Sequence, residues 1–462
     1  MIARRASKCA DALRRRFVGE IILPGEAAYD GSRSVWNAMI DRRPAIVVRP
    51  RDQADVIAAV SAARDADLEI AVRGGGHSLP GLSTCDDGIV IDLSLMRGVR
   101  IDPDSRVARV QGGAVLGDLD EAAQAVRLVC PVGAVTNTGV AGLTLGGGMG
   151  RLQRKFGLTI DNLAAVELVT ATGDVIRASD DEQPELFWGI RGAGPNFGIA
   201  TQFEFRLHPF GPDVTAGMLV YQHERAPDIL PSVLDFAVQA PDDVLVTIGN
   251  GRAPEQGDFA ADLLGRRYLA IGVMHCGTEE DAVRDLAPLR NLGSPSMDTI
   301  KRTSYLEVQH EADPLSIPGS LRAYSKSRFL SAFSQAAIEL YCSITSDAPT
   351  GCGLSAWTWG GAIGRTPDDA TAFTGRDAAF WFGTYGFWTD AELDDANISW
   401  ARAAMDAFAP FTTSAGYVND QAETGADVVR AIYGDATYER LTALKRVWDP
   451  DNVFHQNQNI RP

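Results

Sequence analysis

Between Pro44 and about Pro209, short apolar runs alternate with amphipathic stretches, and the period of that alternation predicts the elements. AIVVRP and EIAVRG read as strands flanking a helix that starts near Asp52, whose carboxylate is suited to cap the first free N–H groups. GVRIDPDSRVARVQGG reads as a hairpin turning at Asp102 to Ser105, VLGDLDEAAQAV as an amphipathic helix, and LAAVELVTATGDVIRAS as a second hairpin turning around Thr172 and Gly173. FGIATQFEFRLHP alternates as a half-buried strand does. The mixture predicts an α+β chain rather than a simple βαβ series. After Pro212 longer strands alternate with helices such as TEEDAVRDLAPLRNL and RFLSAFSQAAIELYCSI. ELDDANISWARAAMDAFAPF reads as a helix ended by Pro410, and SAGYVND as a short strand. Tyr438, Leu441, Leu444, Lys445 and Trp448 then trace one helical face before Asp449 and Pro450 stop it.

Composition narrows the class. A chain of 462 residues is too long for one ordinary core, and an apolar fraction of 45% with 22% charged residues is that of a globular protein. No stretch approaches the roughly 18 to 20 apolar residues of a membrane span, so no membrane partner is expected. The N-terminal MIARRASKCADALRRRFVGEIIL has arginines but no long apolar run and no small-residue cleavage site, which argues against a secretory or twin-arginine signal and for the cytoplasm. The six cysteines are scattered, with no pair or Cys/His cluster at zinc spacing, so reduced thiols and no metal are expected. A formal charge of -17 with no basic run beyond the N-terminal arginines excludes a nucleic-acid partner and leaves a small molecule. Oligomeric state has no signature in the sequence.

The candidate chemistry begins at AVRGGGHSLPG, Ala71 to Gly81. Successive glycines can turn their N–H groups into one concavity that suits a dinucleotide's phosphates. A Rossmann loop would run directly into a helix, yet HSLPGLSTCDDG is turn-rich, and no G-x-x-x-x-G-K-[ST] occurs. Taken alone, the three glycines are equally compatible with a tight strand-end turn. A second run, TNTGVAGLTLGGGMG from Thr136 to Gly150, repeats the chemistry and suggests a large cofactor lying on bare backbone.

RGGGHS, TGVAGLTLGGGMG with RLQRKFGLTIDNL, ELFWGIRGAGPNFGIATQFEF, YVND and YERLTALKRVWDPDNVFHQNQNI, in that order, resemble the berberine-bridge-enzyme-like branch of the vanillyl-alcohol-oxidase type FAD flavoproteins. The resemblance implies a PCMH-type FAD-binding domain of two subdomains over 1–210. It further implies a substrate domain over 211–410, built on an antiparallel sheet backed by helices, and a segment over 411–462 that returns to the flavin. It also implies that His77 is bonded through its ring to the 8α-methyl of FAD. Arg73, Gly74, Gly75, Gly76, Ser78, Thr138, Gly139, Gly142, Leu143, Gly148, Gly150, Ile199, Asn419, Asn457 and Asn459 are the expected cofactor contacts. Where many members carry a second cysteinyl link to the flavin, this chain has Val135, and Cys130 lies five residues too early, so a single covalent bond is expected. Thr138, just before Gly139, stands where relatives control oxygen access, and its small side chain leaves a path for O2.

The resemblance makes Tyr417 of YVND the candidate base for the proton lost when a C–H bond beside a hydroxyl or amine is oxidised. The ordinary tyrosine pKa of about 10 would have to fall by about 3 for work near pH 7, roughly 4 kcal/mol of preference for the phenolate; otherwise Tyr417 packs and orients. No motif brings His208, His223, His275 or His310 to that point. LSAWTWGG puts Trp357 and Trp359 on one strand face, and FWFGTYGFW does so for Trp381 and Tyr385, a surface for a flat substrate or else a face covered by helices. An oxidase using O2 and releasing H2O2 is the expected activity. A flavin dehydrogenase or oxidative cyclase of secondary metabolism, and a flavin-fold binding protein without catalysis, are the alternatives.

Overall fold

The computed structural model describes residues 2–413 and 416–462. Three large sheets and a two-stranded pairing of Leu128–Val129 with His208–Pro209 organise the described residues. The first runs Glu20–Ile22, Ile46–Arg49, Ile89–Asp92, Ile70–Arg73, with the last three strands parallel. The helix Gln53–Asp65 covers it, and the Asp52 carboxylate accepts from the Asp55 N–H at 2.9 Å, capping the helix start. Val56, Ala59, Val60 and Ala63 recur at helical spacing on the buried side of that helix, where they meet Ile46, Val48, Ile89 and Ile91.

The second sheet is antiparallel, in the order Val99–Asp102, Val107–Gln111, Ile199–Arg206, Leu163–Val169, Val175–Ser179. Both hairpins turn where the polar residues interrupt the alternation, the second through Gly173 at φ +88°. Its buried face joins Phe203 and Phe205 to the helices Leu116–Gln124, Pro184–Ala193 and Ala426–Trp448.

The third sheet has eight strands. Its order is Met297–Asp298, Asp213–Gln222, Arg267–His275, Val244–Arg252, Cys352–Thr358, Phe380–Trp388, Arg322–Leu330, with Lys301–Ser304 also paired to Asp213–Gln222. Alternation sorts its residues cleanly. Val246, Ile248, Leu354, Ala356, Phe380 and Phe382 pack under the helices Ala226–Gln239, Gln335–Ser346 and Asp394–Phe408, while Ser355, Trp357, Trp381 and Tyr385 face the other way.

Two elements differ from the expectation. Arg328, Phe329 and Leu330 close a strand, and the helix begins only at Gln335 after the Ser334 cap; the run RFLSAF is apolar enough to suit either state. SAGYVND forms no strand among its described residues: Val418–Asp420 is a single 3-10 turn, and Ser414 and Ala415 lie outside the described residues. No helix among the described residues is long and apolar enough to cross a membrane.

The C-terminal segment is fixed to the first half of the chain by a buried charge. Lys445 and Asp449 are fully buried and paired at 2.7 Å, and the Lys445 ammonium also donates to the Asn196 carbonyl at 2.8 Å and the Phe454 carbonyl at 2.9 Å. All three ammonium protons are thereby used. Lys445→Met takes the only cation from the buried Asp449 carboxylate, which keeps just the Val453 and Phe454 N–H donors, and leaves the Asn196 carbonyl without its donor; it is expected to cost about 3 kcal/mol or more. Denaturant titration followed by tryptophan fluorescence reads this; an unchanged midpoint contradicts it.

Candidate active site

The two glycine runs meet backbone to backbone. A Cβ on Gly75 would lie 2.1 Å from the Gly139 nitrogen, and a Cβ on Gly139 would lie 2.3 Å from the Gly75 nitrogen, so neither position admits a side chain. Gly76 follows at φ +75°, the left-handed region that favours glycine. This turn swings the chain so that His77 enters a cavity of about 630 Å³, within the range of about 300–1,000 Å³ usual for small-molecule and cofactor sites.

Gly74, Gly75, Gly76, His77 and Ser78 line that cavity from the first run, and Val135, Thr138, Gly139, Gly142 and Leu143 from the second. Gly142 sits inside the short helix Val140–Leu145, and a Cβ there would meet nothing within 4 Å. A smaller cavity of about 100 Å³ shares Val72, Gly74, Gly142, Pro195, Gln456 and Asn457 with the first and ends on apolar Ile70, Leu93 and Ile199. The shared residues make the two cavities parts of one site.

His77 stacks on Trp36, ring centroids 5.4 Å apart and planes 11° apart. Burial pushes its pKa down to about 4, with Asn137 opposing, so the imidazole is neutral and carries a free nitrogen lone pair at physiological pH. Trp36 itself rests edge-on against Phe387 of the large sheet, 6.0 Å away.

The C-terminal segment supplies the opposite wall. The Tyr417 hydroxyl accepts from the Gly148 N–H at 2.9 Å and from the Asn419 side-chain amide at 2.7 Å; that amide also donates to the Leu143 carbonyl at 3.1 Å. Burial, and after it the nearby Asp420 carboxylate, push the Tyr417 pKa up while those donors pull it down. The net direction is opposite to the lowering that a base near pH 7 needs. Asp420 also lines the cavity, and burial pushes its carboxyl up to about 7, with the Trp381 indole opposing. Trp357, Trp381, Tyr385 and Phe387 complete the site from the sheet.

Several expected contacts sit elsewhere. Arg73 turns away from the cavity: it is cross-strand from Asp92, pairs with it at 2.8 Å and donates to the Ser32 and Ser34 carbonyls, bracing the glycine loop from behind. Gly148 acts through Tyr417 rather than as lining, and Gly150 is packing, since a Cβ there would lie 1.8 Å from the Val132 carbonyl oxygen. Trp359 lies beyond the end of its strand at Thr358, fully buried against Phe329 and Phe373, so alternation with Trp357 fails there. Asn459 is off the lining, where the irregular tail instead presents Gln456, Asn457 and Gln458. Cys130 is fully buried in the core of the second sheet, outside the cavity lining, and burial pushes its thiol pKa up. His208, His223, His275 and His310 are bonded to Asn162, Thr345, Asp285 and Asp313 respectively, away from the cavity.

Trp36 and Tyr433 line the site without having been marked by any motif, and Gln456 and Gln458 line it from within the C-terminal motif, where only their asparagine neighbours had been singled out. Trp36 Nε1, Asn457 Oδ1 and Gln458 Oε1 are buried without hydrogen-bond partners among the described residues. Open space at Gly142 and unpaired polar atoms on the wall fit a polar, elongated group lying against these residues.

Comparison with known proteins identifies the group. Residues 44–179 match the FAD binding domain family, and residues 416–461 the berberine and berberine-like family. The chain is 34% identical to (R)-6-hydroxynicotine oxidase of Paenarthrobacter nicotinovorans over 96% of its own length and 97% of that protein. It is 31% identical to an FAD-linked oxidoreductase of Dictyostelium discoideum over 92% and 91%. The crystal structure of 6-hydroxy-D-nicotine oxidase from Arthrobacter nicotinovorans superposes with a TM-score of 0.86 at 32% identity, covering 96% of this chain and 98% of that one. A xylooligosaccharide oxidase from Myceliophthora thermophila shares the fold at 22% identity and a TM-score of 0.86, over 98% of this chain and 99% of that one.

The contact between the glycine runs has a direct test. Gly75→Ala drives a methyl into the Gly139 backbone and is expected to destabilise the protein by about 2 kcal/mol or more, whereas Gly142→Ala, free of contacts, changes stability by less than about 1 kcal/mol. Equal unfolding midpoints for the two variants of the cofactor-free protein would contradict the geometry.

Proposed function

The chain belongs to the berberine-like family of FAD-linked oxidoreductases, and from that premise we propose that it is an oxidase carrying FAD on a single covalent bond to His77. The observation that supports this most strongly is the convergence, in one cavity, of three distant features. These are a neutral histidine at the end of a glycine loop, the Tyr417–Asn419 pair from the C-terminal segment, and an aromatic sheet face. Gly74, Gly75, Gly139 and Gly142 would lie under the phosphates and the flavin, Ile199 at the apolar end, and Asn457 and Gln458 would give their unpaired oxygens to the cofactor's hydroxyl or N–H groups. Val135 at the position of a second link, and Cys130 shut inside the core, favour attachment at His77 alone.

When bound, FAD supplies the two-electron acceptor: a hydride leaves the substrate carbon beside a hydroxyl or amine, the heteroatom gives up a proton, and O2 takes up the two electrons with two protons as H2O2. The protein's part is to hold, orient and neutralise. Trp357, Trp381 and Tyr385 stack a flat substrate, and the Tyr417 oxygen stands where the heteroatom's proton leaves. The Gly148 N–H and Asn419 amide form a two-donor cradle that stabilises the Tyr417 phenolate once it forms. Thr138 on the lining leaves the approach for O2 open.

Anaerobic mixing with a panel of amines and alcohols tests the assignment: flavin bleaching, followed on admission of air by rapid recovery and H2O2, is expected. Bleaching with slow recovery would make it a dehydrogenase, and no bleaching by any compound would refute the enzyme. Because the Tyr417 pKa is raised and its ionised form is the active one, the single-turnover rate of flavin reduction is expected to climb as pH rises from about 7 to about 10. Tyr417→Phe lowers that rate by about 10²-fold or more and flattens the profile. An unchanged rate in this variant removes Tyr417 from the chemistry.

A further inference from the structure

Among the residues lining the large cavity, Asp420 is the only aspartate, glutamate, lysine or arginine. It sits at the end of the 3-10 turn Val418–Asp420, between Tyr417 of its own segment and Trp381 of the sheet, and no basic side chain pairs with it among the described residues. The strands that carry Trp357 and Trp381 also carry small residues. Gly383 pairs with Ser355, which pairs in turn with Gly249, and Trp357 and Trp381 stand side by side at one end of this stretch. A half-buried carboxylate that faces a cavity without a cation is destabilised relative to one in bulk water. Aromatic faces beside it offer their own attraction to positive charge.

Building on the oxidase reading of this cavity, we propose that Asp420 is the anchor for the positively charged nitrogen of an aryl-alkyl amine, so that the enzyme oxidises cationic amines in preference to neutral alcohols or sugars. The arrangement also couples binding to chemistry. The Asp420 charge is one of the influences that hold Tyr417 in its neutral form, and a cation seated on Asp420 cancels it. The substrate's own charge then eases ionisation of Tyr417 next to the nitrogen whose proton must leave.

The test uses the FAD-loaded enzyme and a matched pair of unreactive probes, benzyltrimethylammonium and its uncharged carbon isostere neopentylbenzene. Binding is followed by flavin absorbance or tryptophan fluorescence at about pH 8.5, where the Asp420 carboxyl is ionised. Wild type is expected to bind the cation at least about tenfold more tightly than the isostere, and Asp420→Asn to bring that ratio close to one by weakening the cation alone. A wild-type ratio near one, binding of neither probe, or a ratio that survives in Asp420→Asn overturns the proposal. The wild-type ratio stands without any variant, so a poorly folding Asp420→Asn does not blunt the test. The two readings fail differently: bleaching by alcohols alone with a ratio near one sinks the amine anchor and spares the oxidase, whereas a tenfold ratio with no bleaching by any substrate does the reverse.

Discussion

The closure of Gly75 on Gly139 is the contact from which the rest of the site is hung. Peptide units can approach this closely only where neither residue carries a Cβ. The contact joins the first sheet, through the loop after Ile70–Arg73, to the short helix Val140–Leu145 that leads into the second glycine run. With the two loops locked together, the turn at Gly76 has one way to send the chain, and His77 is delivered to the cavity against Trp36. Arg73 and Asp92 brace this from behind, a buried pair on adjacent parallel strands.

The opposite wall depends on the same loop. Gly148, at φ +84°, aims its N–H at the Tyr417 hydroxyl, and Asn419 bridges that hydroxyl to the Leu143 carbonyl. The C-terminal segment is held in turn by the Lys445 ammonium, which ties the Ala426–Trp448 helix to the Asn196 carbonyl. A group more than 250 residues from Gly148 in the chain is thus set by two short polar contacts and one buried cation. The electrostatics are spare: a neutral imidazole, three phenols and one carboxyl in an otherwise uncharged cavity, so that each charge entering the site meets little competition.

Local requirements were legible from periodicity and turn chemistry, whereas the long-range placements that were expected, such as Tyr417, Asn419 and Asn457 beside the glycine runs, came from the family resemblance. The hairpins at Asp102–Ser105 and around Gly173 and the helix capped by Asp52 form where periodicity and turn chemistry put them, because those signals act within a few residues. The glycine loops carry their own reason for being glycine. Trp36 and Tyr433 reach the cavity only through tertiary packing, and no motif marks them, whereas Gln456 and Gln458 stand inside the C-terminal motif beside the asparagines that had been singled out. Trp359 shows where alternation misleads: the strand ends one residue earlier, and the side chain turns into the core. Arg73 was an expected cofactor contact through the resemblance alone, yet the Asp92 carboxylate one strand away claims it. SAGYVND was expected as a short strand, but the bonds of Tyr417 and Asn419 to the glycine run go with a 3-10 turn at Val418–Asp420 instead.

The account stands or falls on what becomes of the imidazole at the end of the first glycine run. Purified holoprotein, denatured in acid and digested, would yield one peptide containing His77 heavier by the mass of FAD less two hydrogens and carrying the flavin's fluorescence. Unmodified His77 peptide, with the pigment free in the supernatant or attached to a peptide containing Cys130, would contradict it.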